Sequence, residues 1–266
     1  MEREPGHEIL RAAAARLAAA GLDEPAREAR LLARAARDAT EFEAFISRRA
    51  TREPFAYIVG RREFWSLDFE VTPDVLIPRP DSETLVETAL KAFGERPPRS
   101  IVDLGTGSGC LIVTLLTEWP DARGLAVDLS QAALDVARRN ATRLGTANRL
   151  DFACADFATL QAGPFDLVVS NPPYIPSAVI ATLEPDVAAF EPGLALDGGT
   201  DGLAAYRAIA RALPALLAPG GRAVLEIGWD QARAVTEVLL NQGFEVQRVV
   251  KDLAGNDRVL VAAAPI

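Results

Sequence analysis

Histidine is nearly missing from this chain. Of 266 residues only His7 is a histidine, and it lies close to the N-terminus. That argues against histidine-based acid–base catalysis and against histidine-rich metal sites. Cysteine is scarce too: Cys110 and Cys154 have neither a metal-ligand spacing nor the pattern of a disulfide framework. No apolar run approaches the ~18 residues of a membrane span. The start, Met1-Glu2-Arg3-Glu4-Pro5, has no signal-peptide core, so a cytoplasmic protein without a membrane is expected. Basic excess is also lacking. With 28 Lys and Arg against 37 Asp and Glu, the formal net charge is −9. A whole-protein basic footprint for nucleic acid is therefore absent, which counts against duplex DNA while leaving room for a local patch.

What is present is ordinary globular composition, 49% hydrophobic and 24% charged. Residues 1–60 are rich in Ala, Arg, Glu and Leu. Leu10, Ala14 and Leu17 share a helical face, and Leu31, Leu32, Ala35 and Ala36 repeat the pattern. Gly21-Leu22-Asp23-Glu24-Pro25 breaks the run, and Phe42, Phe45 and Ile46 supply bulk for a small helical domain. Residues 61–80 change character. Glu63–Val71 favours strand, Thr72-Pro73-Asp74 marks a turn and Val75-Leu76-Ile77 follows, which reads as a hairpin linker closed by Pro78-Arg79-Pro80.

Across 81–266 strand-like and helix-like segments alternate. The strand candidates are Ser100–Leu104, Gly124–Asp128, Arg149–Ala153, Phe165–Ser170, Arg222–Ile227, Phe244–Val250 and Arg258–Ala262. This predicts an α/β fold: a mostly parallel sheet with helices on both faces. The link Asp252–Asp257 is too short for a parallel crossover, so the last strand should run antiparallel.

Three successive strand ends carry residues suited to a nucleoside. Asp103-Leu104-Gly105-Thr106-Gly107-Ser108-Gly109 follows the first strand and opens a helix; its glycines permit a tight turn and close approach of a ligand. No Lys-Ser/Thr pair follows, so phosphate transfer is disfavoured. Asp128 ends the second strand, roughly 20 residues on, where a carboxylate can accept from both ribose hydroxyls. It can equally cap the next helix, as can Ser130. At the third strand, Asp156 can accept from an adenine amine and Phe157 can stack on the ring or simply fill core. The first two features alone would suit a nicotinamide dinucleotide.

The fourth strand end decides against it. Asn171-Pro172-Pro173-Tyr174 offers a side-chain oxygen and backbone carbonyls, while the prolines have no N–H to compete. Such a loop suits a planar NH2 group, and hydride transfer has no need of one. A rigid turn is the bland alternative. For Cys110 a buried small hydrophobe is favoured over a reactive thiol, and for Trp65 hairpin packing over a partner contact. Glu191, Asp197 and Asp201 either rim an entrance or order their loop, and Arg79 touches either a ligand or a partner.

Asp103–Gly109 together with Asn171–Tyr174 resembles the class I S-adenosylmethionine-dependent methyltransferases that modify planar NH2 groups. Further segments are similar to the release factor glutamine methyltransferases: Pro54–Gly60, Glu63-Phe64-Trp65, Leu76–Glu83, Phe190–Gly202, Leu225–Gly228 and Lys251–Arg258. The resemblance spans nearly the whole chain and is least diagnostic over about residues 1–50. It implies a Rossmann-like class I methyltransferase sheet over 81–266, a β-hairpin linker over 61–80 and a helical substrate-docking domain over 1–60. It implies that Gly105, Thr106, Gly107, Ser108 and Gly109 line the methionine end of S-adenosyl-L-methionine, that Asp128 holds the ribose, and that Asp156 and Phe157 hold the adenine. Many relatives carry an indole where this chain has Phe157. Asn171, also close to the cofactor, and the Pro172 carbonyl would hold the substrate amide, with Pro173 and Tyr174 bounding it. Asn171, Pro172 and Tyr174 are thus the implied catalytic set. The implied reaction methylates the glutamine of the Gly-Gly-Gln loop of peptide chain release factors, with S-adenosyl-L-homocysteine as product. No metal and no direct nucleic-acid contact are expected, and the chain is expected to be a monomer. The rival readings are a ribosomal-protein glutamine methyltransferase, a DNA or RNA exocyclic-amine methyltransferase, and a non-catalytic adaptor.

Overall fold

The computed structural model describes residues 6–264; the Met1–Pro5 segment read above lies outside them. Four helices come first: α1 His7–Ala19, α2 Pro25–Ala35, α3 Ala39–Ala50 and α4 Phe55–Val59. Pro25 starts α2 at a position where its missing N–H costs nothing. Asp38 caps α3 by accepting from the Glu41 N–H at 2.8 Å. Their shared core is Leu17, Ala29, Leu32, Phe42 and Ile46, with Phe45 partly buried. The stripe of α2 is Ala29, Leu32, Ala33 and Ala36, an i, i+3, i+4, i+7 set. Leu31 and Ala35, expected on that face, point to solvent instead.

The hairpin also differs from expectation. Its strands are β1 Arg61–Phe64 and β2 Leu67–Glu70, antiparallel. The turn falls at Trp65-Ser66, inside the stretch read as one strand. Both residues have positive φ, 52° and 58°, which matches the twist of a two-residue hairpin. Phe64 and Phe69 then meet edge to face at 6.2 Å in the core. Val75 and Ile77 form no strand; they are buried beside Tyr57 and Val136, and the Tyr57 hydroxyl donates to the Val75 carbonyl at 2.6 Å.

The large sheet contains β3 Ser100–Leu104, β4 Arg123–Asp128, β5 Leu150–Cys154, β6 Phe165–Ser170, β7 Leu217–Glu226, β8 Glu245–Lys251 and β9 Asp257–Ala263. Its order is β5-β4-β3-β6-β7-β9-β8. Only β9 runs against the rest, pairing antiparallel with both β7 and β8. Alternate side chains feed two cores. Ile101, Leu167 and Val169 pack under α5 Glu83–Phe93, α6 Cys110–Glu118 and α7 Gln131–Arg143. Val102, Leu104 and Val168 pack under α11 Ala204–Leu216 and α12 Ala232–Leu240. Three short helices, α8 Ser177–Ile180, α9 Pro185–Phe190 and α10 Gly193–Leu196, follow the Asn171–Tyr174 loop. Strand order reverses between β3 and β6, and at such a switch the carboxyl ends of open α/β sheets leave a crevice. Among the described residues no helix is long and apolar enough to cross a membrane.

Candidate active site

A cavity of about 340 Å³ fills that crevice, within the size range of small-molecule sites. Gly105, Thr106, Gly107 and Ser108 form its floor. The loop is tied to the neighbouring strand as well as to itself, the Gly109 N–H donating to the Thr106 carbonyl at 2.8 Å. The Gly105 and Thr106 N–H groups both donate to the Val127 carbonyl, at 2.8 and 2.9 Å. The Gly107 N–H donates to Asp128 Oδ2 at 2.9 Å. Asp128 Oδ1 accepts from the Ser130 N–H at 2.9 Å. Ser130, not Asp128, caps α7. Each carboxylate oxygen has a further acceptor site, and Asp128 lines the cavity with Leu129 and Phe157. Beneath the floor, Asp103 is fully buried and accepts from the Thr106 hydroxyl at 2.7 Å. Burial pushes its pKa up to about 7, against the pull of that hydrogen bond.

Two cofactor candidates fall outside the wall. Gly109 has φ +78°, and a Cβ there would stand 3.1 Å from the Ala137 Cβ. It permits the close packing of α6 on α7. Asp156 is exposed, and its Oδ1 accepts from the Ala158 N–H at 2.8 Å. A short polar side chain at a strand end closes its own turn readily.

The Asn171 loop is divided in the same way. Asn171 and Pro173 line the cavity. Asn171 Nδ2 donates to Ser82 Oγ at 3.2 Å, and no described residue donates to its Oδ1. Pro172 is buried behind the wall. Tyr174, expected to bound a substrate, turns into the core. Its hydroxyl lies 3.5 Å from Glu226 Oε1, its carbonyl accepts from Gln231 Nε2 at 3.0 Å, and burial raises its pKa well above the usual phenol range. The chain leaves β6 into a packed segment, so the ring has apolar neighbours on the inner side.

Val75, Leu76, Pro78 and Arg79 from the linker and Pro192, Leu194, Ala195 and Asp197 from the later segment complete the cavity. Arg79 pairs with Glu191, whose other oxygen accepts from the Ile77 N–H at 3.3 Å. Asp197 accepts from the Ser177 hydroxyl at 2.6 Å and the Gly199 N–H at 2.8 Å. Asp201 pairs with Arg207 at 2.5 Å. Asp197 therefore both lines the cavity and orders its loop, while the contacts of Glu191 and Asp201 are those of ordering. Trp65 donates through Nε1 to Glu118 at 2.7 Å, joining the hairpin to α6. Ser82 and Glu226 fall inside two of the family-like segments, but sequence reading assigned neither a role. Among the described residues no group of three or more His, Cys, Asp or Glu side chains could hold a metal ion.

A glycine loop bonded to the next strand, an acidic residue at that strand's end and an Asn-Pro-Pro-Tyr loop on one cavity define a Rossmann-like methyltransferase. A family model described as "Methyltransferase small domain" matches residues 81–183. Among solved structures, a methyltransferase from Pyrococcus furiosus is 20% identical with a TM-score of 0.57, over 76% of this chain and 91% of that one. A ribosomal protein L11 methylase from Lactobacillus delbrueckii subsp. bulgaricus is 18% identical with a TM-score of 0.53, over 74% and 84%. These likenesses show the fold. The sequence relatives are nearer. Release factor glutamine methyltransferase of Rhodospirillum rubrum is 47% identical over 96% of this chain and 83% of its own length. That of Cereibacter sphaeroides is 48% identical over 97% and 98%, and that of Moorella thermoacetica 43% over 96% and 97%. The chain belongs to the release factor glutamine methyltransferase family.

Proposed function

We propose that this protein methylates the side-chain nitrogen of the glutamine in the Gly-Gly-Gln loop of peptide chain release factors, in the cytoplasm and without a metal ion. One observation carries the chemistry: Asn171 stands on the cavity wall with its NH2 end donating to Ser82, which lines the cavity beside it, and its oxygen unclaimed. The cavity suits S-adenosyl-L-methionine. Gly105 and Gly107 have open space where a Cβ would stand, Asp128 offers acceptors, and Leu129 and Phe157 offer an apolar face. The bound donor supplies an electrophilic methyl on a sulfonium whose sulfur leaves neutral, so neither a Lewis acid nor a general acid is needed. Residues 1–60 serve as the docking unit for the protein substrate, with 61–80 as linker.

An amide nitrogen is a poor nucleophile because its lone pair is delocalised into the carbonyl. Asn171 Oδ1 accepts one hydrogen of the substrate NH2. The Pro172 carbonyl, which no N–H of the described residues claims, supplies the second acceptor. Two acceptors fix the NH2 plane and aim the lone pair at the methyl carbon. They also stabilise the positive charge that grows on nitrogen as the C–N bond forms and the C–S bond breaks. The proton is lost from nitrogen after transfer, so a site with no histidine suffices.

A tritium-transfer assay offering release factor, ribosomal protein and DNA side by side should label the release factor. Preferential labelling of either alternative would sink the substrate assignment. Asn171→Ala should lower turnover by about 10²–10³-fold while calorimetric donor binding stays near wild type. Near-normal turnover would refute the amide clamp.

A further inference from the structure

We propose that Trp229 and Leu253 form a docking platform beside the mouth of the cavity, and that its occupant is the protein substrate, through the face of the release factor next to its glutamine loop. The proposal rests on the substrate reading above and adds a second contact to that of the helical docking unit. Both side chains are large, apolar and in water: Trp229 is 66% exposed and Leu253 fully so. Trp229 follows β7, and Leu253 lies in the turn from β8 to β9. β7 is parallel to β6, so both strands leave the sheet at one edge, the edge where Asn171 stands. β9 runs antiparallel to β7 and β8, so the turn that precedes it opens on that edge too.

Neighbouring strands are about 4.8 Å apart. In the order β6-β7-β9-β8, the Trp229 loop starts one strand from Asn171 and the Leu253 turn two to three strands, roughly 5 Å and 10–14 Å across the sheet. A protein that places one glutamine in the clamp covers more than the clamp. A standard interface takes about 800 Å² of each partner, a disc of roughly 16 Å radius. The platform falls within that reach, so its apolar surface continues a face that the substrate must already cover.

The backbone under both residues is tied down. Gln231 Oε1 accepts from the Gly228 N–H at 3.0 Å, and its Nε2 donates to the Tyr174 and Gly202 carbonyls at 3.0 and 3.3 Å. The loop that carries Trp229 is thereby bonded to the loop that carries Asn171. Asp252 Oδ1 accepts from the Ala254 and Asn256 N–H groups at 3.0 and 2.9 Å, which closes the turn around Leu253. The Ile227 N–H donates to the Arg258 carbonyl at 2.8 Å, and Arg258 Nε donates to Asp252 at 3.1 Å, so the turn is bonded to the end of β7. A side chain on a fixed backbone has less freedom to lose when it is covered, and tryptophan is the residue type most enriched among interface anchors. The flanking charges are acidic. Asp230 is exposed next to Trp229, and the half-exposed Asp81 reaches Arg258 at 3.4 Å. Lys251, at the start of the turn, is taken by Asp257 at 3.3 Å. The complementary face is an apolar hollow with basic side chains around it. A second copy of this chain, with its net charge of −9, is poorly matched to such a surface.

The test is steady-state turnover with intact release factor as substrate and donor at saturation. Trp229→Ala should raise the KM for the release factor about tenfold to thirtyfold. Leu253→Ala should raise it about threefold. In both, kcat and donor Kd should stay within about twofold of wild type. Leu240, 54% exposed, ends α12 at the opposite edge of the sheet, and Leu240→Ala should leave KM as it is. Asp230→Lys should also raise KM, most at low ionic strength. An unchanged KM in Trp229→Ala and Leu253→Ala overturns the platform and leaves the substrate reading intact, as does an equal rise in Leu240→Ala. A wild-type dimer in light scattering that Trp229→Ala dissolves, with KM unmoved, overturns it in favour of a second copy. A lower KM in Asp230→Lys overturns the basic face assigned to the partner. A wild type that labels ribosomal protein or DNA in preference to release factor overturns the substrate reading, and this occupant with it.

Discussion

Gly109 shows how one residue can belong to a glycine-loop motif without lining the cavity that the motif borders. Its φ of +78° disfavours any side chain, and the Ala137 Cβ blocks the space a Cβ would take, at 3.1 Å. Gly105 has a similar φ of +76° with nothing within 4 Å. Both substitutions to alanine should cost about 1–2 kcal/mol for the backbone conformation. Gly109→Ala should cost a further ~1 kcal/mol for the contact. Ala137→Gly loses about 1 kcal/mol of helix propensity by itself, yet combined with Gly109→Ala it should restore the space. The double variant should therefore unfold at a higher urea concentration than the two single effects predict. Strict additivity would show that the contact relaxes at no cost. The motif pattern identified the loop but could not separate the glycine that borders the cavity from the one that clears space for a helix. That distinction depends on Ala137, which lies 28 positions away from it in the chain.

At the scale of elements, the helical N-terminal unit is fastened to the segment that roofs the cavity. Arg49 on α3 is 5% exposed. It bonds Glu28 on α2 at 2.5 Å and Asp186 on α9 at 2.6 Å. Arg52 meets the other Asp186 oxygen at 2.6 Å. A buried guanidinium that loses one carboxylate is left undercompensated. Asp186→Ala should thus destabilise the protein by about 2 kcal/mol and raise hydrogen exchange across α8–α10. The KM for the protein substrate should rise, with donor affinity little changed. Unaltered exchange in that segment would mean the clasp does not hold it. None of this is visible as a pattern, because Arg49 and Asp186 are 137 positions apart. What local pattern did convey is the alternation. Ser100–Leu104, Phe165–Ser170 and Cys110–Glu118 fall where periodicity puts them, since buried parallel strands and apolar helices have strong local signals. Patterning failed at the hairpin, where Trp65 and Ser66 adopt positive φ without a glycine to announce it. It failed again at the start of β7, which begins at Leu217 because that residue pairs with Phe165. At the site, Asn171 and Asp128 were legible from residue type and strand end. Ser82 and Glu226 lay in family-like segments but had no legible role, since only the fold brings Ser82 against Asn171 and Glu226 beside Tyr174.

For the whole molecule, two buried carboxyl groups tilt the dependence of stability on pH. Asp103 and Glu226 both have pKa values pushed up to about 7, chiefly by burial. A group whose folded pKa exceeds its unfolded value binds its proton more tightly when folded. Its contribution is full below the unfolded pKa, near 4, and is lost as pH rises through about 7. Asp201, Asp197 and Asp252 act oppositely. Hydrogen bonds hold Asp201 down to about 2 and lower Asp197, while hydrogen bonds to Asp252 outweigh its burial. Their contribution is present above the unfolded pKa and disappears as acid protonates them. Between these limits stability should peak on the acid side of neutrality. It should then decline toward pH 8, each buried acid losing on the order of 1.4 kcal/mol for every pH unit climbed between its unfolded and folded pKa. Urea midpoints measured at intervals from about pH 5 to 8 should fall in wild type, and fall less in Glu226→Gln. A midpoint that climbs over the same range would contradict the assignment of both buried acids.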